Sequence, residues 1–463
     1  MELWSAEKVL VKGRFEKDWG VAVDNDGMVQ AIGPRSHLVA SARRVNHHPD
    51  KILLPAFINP HHQGFDRLFR SLTDLELSYR DLLRMAIWPL SSSVNRDLFD
   101  AVYRVALAEQ ALCGVGTVGE FHYLHNGCYQ SGEAGFAERL IRIAIDMGLR
   151  LSLVYTFFDQ GSSDQTQSFV QPMDLSLKIY HDLQERYGSH PLINLVPGIH
   201  SLEHTSPEAI IAAAKLAEQY DTPFHVRLAA RKEDLETALL HYGTTPLKAL
   251  EKMGVLNERL VAIHGTLLDD EELAMMEKHG VSAILSPTAS LAKGDRRPNT
   301  SGLLKNNIPF AVSSGGLPLF HGYSVPEEIK WLELNQREDN SRRDLLCSSM
   351  DIESLWELGT WLPAQMLGVN SSRFMPGSAA DFMLISQSQA CTKPAFDDGS
   401  RLSAMNELLF GWGSQIQVSH LFVQGKMVVG NGQFGVDLSQ SYRMLERTCA
   451  AFLENVQKKT AAN

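Results

Sequence analysis

Apolar and polar positions along this chain fall into two regimes. Short strand-like runs open it, as Val9-Leu10-Val11-Lys12-Gly13, Gly20-Val21-Ala22-Val23 and Met28-Val29-Gln30-Ala31-Ile32-Gly33. Asn25-Asp26-Gly27 separates the last two, and a turn of that composition between apolar runs predicts a hairpin. Similar runs return late, as Ala380-Asp381-Phe382-Met383-Leu384-Ile385 and as the stretch from Val418 to Val429. The two terminal groups are expected to meet in one small β-sandwich domain, 1–55 with 365–435, followed by a helix over 436–463.

Between them the pattern changes. Near-continuous apolar runs at 116–121, 150–155, 193–198, 223–226, 260–264, 282–285 and 309–312 alternate with helical stretches such as Pro207 to Tyr220 and Asp270 to His279. This βα alternation, sustained for about 300 residues, predicts an α/β fold, a parallel (β/α)8 TIM-like barrel over 56–364, better than an open doubly wound sheet. Polar residues collect where the runs end, and that is the end at which a barrel carries its site.

Composition narrows the partner. The 463 residues are 44% hydrophobic, enough to bury a large core without disulfides or a structural metal. Five cysteines, Cys113, Cys128, Cys347, Cys391 and Cys449, are scattered without a Cys-x-x-Cys pair, which fits a reducing compartment and argues against thiolate zinc. The first residues lack the basic start and apolar stretch of a signal peptide, and no run of about 18 apolar residues occurs, so a cytoplasmic protein without a membrane partner is expected. A formal charge of −11 with no basic cluster argues against nucleic acid. A small molecule is the expected partner.

Several separated motifs then resemble the amidohydrolase superfamily, in its aminohydrolase and chlorohydrolase branch. Leu54-Pro55-Ala56-Phe57-Ile58-Asn59-Pro60-His61 looks like the first barrel strand of that family, and Ile87-Trp88-Pro89-Leu90 is similar to a segment common in the branch. Glu120-Phe121-His122-Tyr123-Leu124-His125 and Gly198-Ile199-His200-Ser201-Leu202 are most similar to formimidoylglutamate deiminase, a zinc enzyme that hydrolyses an amidine-like C–N bond. Pro376-Gly377-Ser378-Ala379-Ala380-Asp381-Phe382 and Val423-Gln424-Gly425-Lys426-Met427-Val428 resemble the closing β segments. A homodimer is compatible with this resemblance.

The resemblance implies a zinc site built from a His-x-His pair on the first strand, a His on the fifth, a His on the sixth and an Asp after the eighth. Residues i and i+2 of a strand share a face, so two imidazoles so spaced reach one ion. Here His61 fits, but its i+2 partner is Gln63, while His62 should point the other way. On the fifth strand His225-Val226-Arg227-Leu228-Ala229-Ala230 puts Arg227 at the ligand position and Ala230 at the proton-shuttling Glu. A guanidinium has no lone pair to give and repels a cation. Gly315 falls where the metal-binding Asp belongs, and His264 alone matches the sixth strand. The ordinary zinc site is therefore expected to be lost, with no other cofactor implied.

The expected site keeps His264, Glu120 and His61 as acid–base candidates, with Arg227, Tyr123, His122, His200, Ser201 and His225 as substrate contacts. Arg227 is expected to aim into the barrel mouth near His61 and His264, with Glu120 or an anionic part of the ligand as its counter-ion. His62, His125 and His204 read as structural or surface residues, and Asp295-Arg296-Arg297 as a solvated loop. Glu203 stands where the deiminases hold the substrate carboxylate with an Arg, which reverses the charge and favours a neutral or cationic nitrogen compound. The leading expectation is hydrolase or deaminase chemistry at a C–N bond, without the usual zinc. A non-catalytic binding relative and a metal-dependent deaminase with substitute ligands such as His61, His225 and His264 stay open.

Overall fold

The computed structural model describes residues 1–71, 79–125, 135–161, 164–316, 322–340, 350, 352–386, 409 and 416–461. Cys128, Cys347 and Cys391 lie outside the described residues, as does part of the 365–435 segment.

Eight parallel strands run in unbroken sequential order: β1 (Phe57–His62), β2 (Val115–His122), β3 (Arg150–Phe157), β4 (Ile193–Ile199), β5 (Phe224–Leu228), β6 (Leu260–His264), β7 (Ser282–Leu285) and β8 (Phe310–Val312). Their β-branched and aliphatic composition suits strands covered on both faces. A parallel bridge between His62 and Gly315 carries the last strand back to the first, and Asn59 reinforces that seam by donating to Ser314 Oγ at 2.8 Å and accepting from Ser314 N at 3.1 Å. The result is the nearly closed barrel that the periodicity predicts.

Helices cover the outside. α1 (Arg96–Leu112) starts at Asn95, whose side chain accepts from Leu98 N, and buries an apolar stripe including Phe99, Val102, Tyr103 and Ala106. α2 (Pro207–Gln219) and α4 (Asp270–His279) form within the expected stretches, capped by Ser206 and by an Asp269–Glu272 capping box. α3 (Lys232–Tyr242) follows β5 and α5 (Pro287–Lys293) follows β7, while α6 (Trp361–Leu367) closes the N-terminal end. Its Met366 packs inside the barrel with Val261, Ile284 and Ala311. The C-terminal helix α7 occupies Ser439–Ala461. Among the described residues no helix is long and apolar enough to cross a membrane.

The terminal segments meet in a single nine-stranded, mostly antiparallel sheet, joined where Lys51–Pro55 pairs with Phe382–Ser386. The Asn25-Asp26-Gly27 hairpin is present, with Val23 opposite Val29. The late run from Val418 to Val429 is two strands, Val418–Val423 and Lys426–Gly430. Gln424 and Gly425 both take positive φ, 51° and 68°, the two-residue turn that a right-twisted hairpin favours. A buried Arg150 ties this sheet to the barrel: it donates to both oxygens of Asp381, at 2.8 and 3.1 Å, and to Gln424 at 2.7 Å.

Candidate active site

Strand alternation decides which side chains meet. On β2, Phe121 points into the barrel, where it packs with Val154, Val196 and Ile263. Residues one step either side must then face the helices. At the C-terminal mouth a cavity of about 210 Å³ is lined by residues from seven successive strand ends, among them His61, Tyr123, Phe158, His200, Arg227, His264 and Lys293.

His61 lies at the floor, its ring centroid 5.4 Å from that of His264 at 87° and 5.0 Å from Phe121, and its Nδ1 has no hydrogen-bond partner. Burial, with the Lys293 ammonium next in effect, holds both imidazoles well below their ordinary pKa. Both are therefore neutral near pH 7. His264 ends β6 with φ +75°, and Ala229, just past β5, has φ +44°. Two non-glycine residues in the left-handed region at adjacent strand ends mark stored strain at the cavity floor.

Arg227 shares the inward face of β5 with His225 and reaches the cavity, as its spacing predicts. Its counter-ion is a correction to the sequence reading. The nearest carboxylate is Asp234 on α3, 3.6 Å away, itself fixed by the backbone N–H groups of Ala230 at 2.9 Å and Arg231 at 3.0 Å.

Of the expected site residues, the cavity brings together His61, Tyr123, His200, Arg227 and His264. Glu120, His122, Ser201 and His225 stand elsewhere. Glu120 faces out of the barrel, where its carboxylate accepts from His62 Nδ1 at 2.7 Å, Gly64 N at 2.8 Å and Tyr103 Oη at 2.8 Å. His122 shares that outward face and packs against Phe99 and His125. Ser201 is buried off the cavity lining. His225 lies deeper in the barrel, its Nε2 donating to the Met366 carbonyl at 2.7 Å, and burial pushes its pKa down to about 4.

Sequence reasoning missed the lining residues Asp66, Lys293 and Arg231, and it read His204 as structural or surface and Asp295 as part of a solvated loop, whereas both line the cavity. All lie in segments that follow barrel strands, so the rule that strand-to-helix segments build the site would have found them. Asp66 is 3% exposed and its Oδ1 is unpartnered; burial, with Glu120 adding and Lys293 opposing, raises its pKa to about 7. Lys293 is pushed down to about 8 by burial, with Arg227 adding and Asp295 opposing. Its Nζ lies 5.3 Å from the Tyr79 ring centroid. His204 stacks on Phe158 at 4.6 Å, beside His200.

The donors can be tested against a tetrahedral ion. Gln63 and Arg227, which the resemblance sets at the positions of the second and third imidazoles, line the cavity, and Lys293 adds a further cation. Gly315 has φ +67°, and a Cβ there would lie 2.7 Å from Ala289 Cβ on α5, so an Asp at this position is not accommodated as the chain stands. Among the described residues no group of three or more His, Cys, Asp or Glu side chains is placed to hold a metal ion.

Comparison with known proteins agrees with the architecture. The model of the amidohydrolase family matches residues 52–428. The chain is 25% identical to the 5-methylthioadenosine/S-adenosylhomocysteine deaminase of Pyrococcus furiosus over 410 residues, 88% of this chain and 90% of that one. Among solved structures, an adenosine deaminase from Xanthomonas campestris with bound zinc superposes with a TM-score of 0.83 at 19% identity, covering 99% of this chain and 98% of that one. Atrazine chlorohydrolase from Arthrobacter aurescens superposes with a TM-score of 0.82 at 21% identity, covering 98% and 100%.

Proposed function

We propose, taking as premise that the chain belongs to the amidohydrolase family, that it hydrolyses a C–N bond of a small polar nitrogen compound in this cavity without the usual zinc. The observation that carries this reading is the convergence of His61, His264 and Arg227 on one cavity at the end of the barrel where such sites are built. Two neutral imidazoles can hydrogen-bond an attacking water and a leaving nitrogen, and the guanidinium stabilises charge that develops as the carbon becomes tetrahedral. What supports a metal-independent route is the donor set: an amide, a guanidinium and a glycine at three ligand positions, with Lys293 beside them.

The lining also speaks to substrate. Tyr79, Trp88, Tyr123, Phe158 and Phe169 offer aromatic surface to a flat ring. Glu203 reaches the cavity at the position where the deiminase resemblance implies a carboxylate-binding Arg, so formimidoylglutamate is not the expected substrate. An amino-substituted nitrogen heterocycle, neutral or cationic, fits this lining and the deaminases among the relatives. A metal-dependent enzyme is the second reading, because Nδ1 of both His61 and His225 lacks a partner.

The test is metal analysis of the purified protein together with ammonia release from adenosine, 5′-deoxyadenosine and 5′-methylthioadenosine, before and after chelation. We expect well under one equivalent of zinc, iron or manganese and turnover that survives chelation. Stoichiometric metal, with activity lost on chelation, selects the second reading. Saturable binding without ammonia release selects a non-catalytic relative.

A further inference from the structure

The resemblance implies a proton-accepting carboxylate after the eighth strand, and Gly315 stands at that position. The next residue is informative. A Cβ built on Gly316 would lie 2.5 Å from Asp66 Oδ2 and 2.4 Å from Gln63 Oε1. The bare backbone at Gly316 is thus what lets a side chain from the segment after β1, Gly64–Ser71, lie against the end of the barrel's eighth strand. Asp66 thus lies against the residue that follows Gly315, on the cavity side of the seam.

Nothing in the packing explains that carboxylate as scaffold. Asp66 is 3% exposed and lines the cavity, yet Oδ1 meets no donor. A buried carboxylate without partners is costly and is retained where a ligand or water completes it. Lys293 lines the same cavity and makes no ion pair within 4.0 Å among the described residues, so its ammonium offsets the charge at longer range without capping the oxygen.

We infer that Asp66 is the general base of this site, a carboxylate supplied by the segment after the first strand and turned to the attacking water. The inference rests on the hydrolytic reading above. In the step it performs, the water proton passes to the Asp66 carboxylate while the water oxygen bonds to the amino-bearing carbon. The C=N π pair moves onto the ring nitrogen, where a cavity cation or a solvent proton neutralises it. Asp66 then returns its proton to the departing amino group, the C–N bond breaks, ammonia leaves, and the remaining hydroxyl gives up its proton, to the ring nitrogen or to solvent, as the C=O forms. Water is consumed, one C–N bond is replaced by C=O, and the carboxylate ends as it began. A base of this kind is most effective with a pKa near the working pH, which the burial of Asp66 supplies.

The experiment compares the full-length wild type with Asp66→Asn, Asp66→Glu and Gly316→Ala. It measures ammonia release from adenosine, 5′-deoxyadenosine and 5′-methylthioadenosine across pH 5–9, together with melting temperature and calorimetric adenosine binding. For Asp66→Asn we expect kcat/KM to fall by about 10²-fold or more with a melting temperature equal to or above wild type. The wild-type rise in kcat/KM through about pH 7 should vanish in that variant. Asp66→Glu should restore part of the rate, and Gly316→Ala, whose methyl crowds Asp66, should lose about tenfold. An active wild type with Asp66→Asn within about threefold of it overturns the inference and leaves the hydrolytic reading intact. So does a lost rate fully accounted for by a lower melting temperature. A wild type that releases no ammonia defeats the hydrolytic reading itself. The residue is then decided by Asp66→Asn alone: a lower melting temperature makes it structural, and weaker adenosine binding at an equal or higher one keeps it ligand-facing.

Discussion

Two carboxylates on either side of the barrel wall are nearly equally buried and chemically opposite in setting. Glu120 is 1% exposed on the helix side of β2, and it accepts three hydrogen bonds that join β1, β2 and α1. Asp66 is 3% exposed on the cavity side, with one oxygen unpartnered. Burial alone does not separate scaffold from site. Hydrogen bonding separates this pair: three donors converge on Glu120, whereas Asp66, which lines the cavity, is left short of them. His62 is tied to Glu120 through Nδ1, whereas Nδ1 of His61, which lines the cavity, has no partner.

The largest effect should come from breaking the satisfied side. Glu120→Ala strands the Tyr103 hydroxyl, the Gly64 amide and the His62 Nδ1–H together in the wall. Loss of one member of a buried charged network costs about 3–5 kcal/mol, and urea unfolding should show a loss of that size. Gly64 also opens the segment that carries Asp66. A stability within about 1 kcal/mol of wild type would mean that Glu120 is not the scaffold carboxylate this comparison needs.

The same contrast explains what was readable from the sequence. The barrel was legible because its signal is repeated: seven apolar runs, each bounded by helical stretches, leave few other architectures. His61, Arg227 and His264 were legible because a strand fixes the face of every second residue once one is placed. Glu120 and His122 were misleading for the same reason read in the wrong phase, since Phe121 between them is the residue that faces inward. Asp66 and Lys293 were not legible. They sit in a 3-10 segment and at the last residue of α5, where direction follows from packing rather than from a period of two.

A smaller effect tests the unsatisfied side through pH. The folded state raises the Asp66 pKa from its ordinary value of 3.8 to about 7. Between those values the folded protein holds a proton that the unfolded chain has released, so stability falls as pH rises and the cost is complete above about pH 7. Asp66→Asn removes this titration. The variant should exceed wild type by on the order of 1–3 kcal/mol at pH 8, a gap that closes as pH falls toward 4. Denaturant melts at pH 4, 6 and 8 measure it. A gap that widens at low pH would place Asp66 with Glu120 among the satisfied groups.

The smallest effect belongs to Arg227, which stands between the two classes. Its guanidinium is 16% exposed and has Asp234 at 3.6 Å, too far for a good charge-assisted hydrogen bond. The side chain is therefore balanced in charge yet retains donors for a ligand. Arg227→Lys keeps the positive charge opposite Asp234 and removes the planar fork. If the fork serves the ligand, kcat/KM or adenosine affinity should fall by about tenfold, roughly 1.4 kcal/mol, with a melting temperature within about 2 °C of wild type. If the fork serves only the packing around Asp234, the melting temperature should drop while the folded fraction binds as before. The capping of α3 makes that second outcome separable. Asp234 accepts from the Ala230 and Arg231 amides whatever residue 227 is, so a lost contact with Asp234 would not unravel the helix start. A change in affinity without a change in melting temperature would then assign Arg227 to the cavity side of the divide.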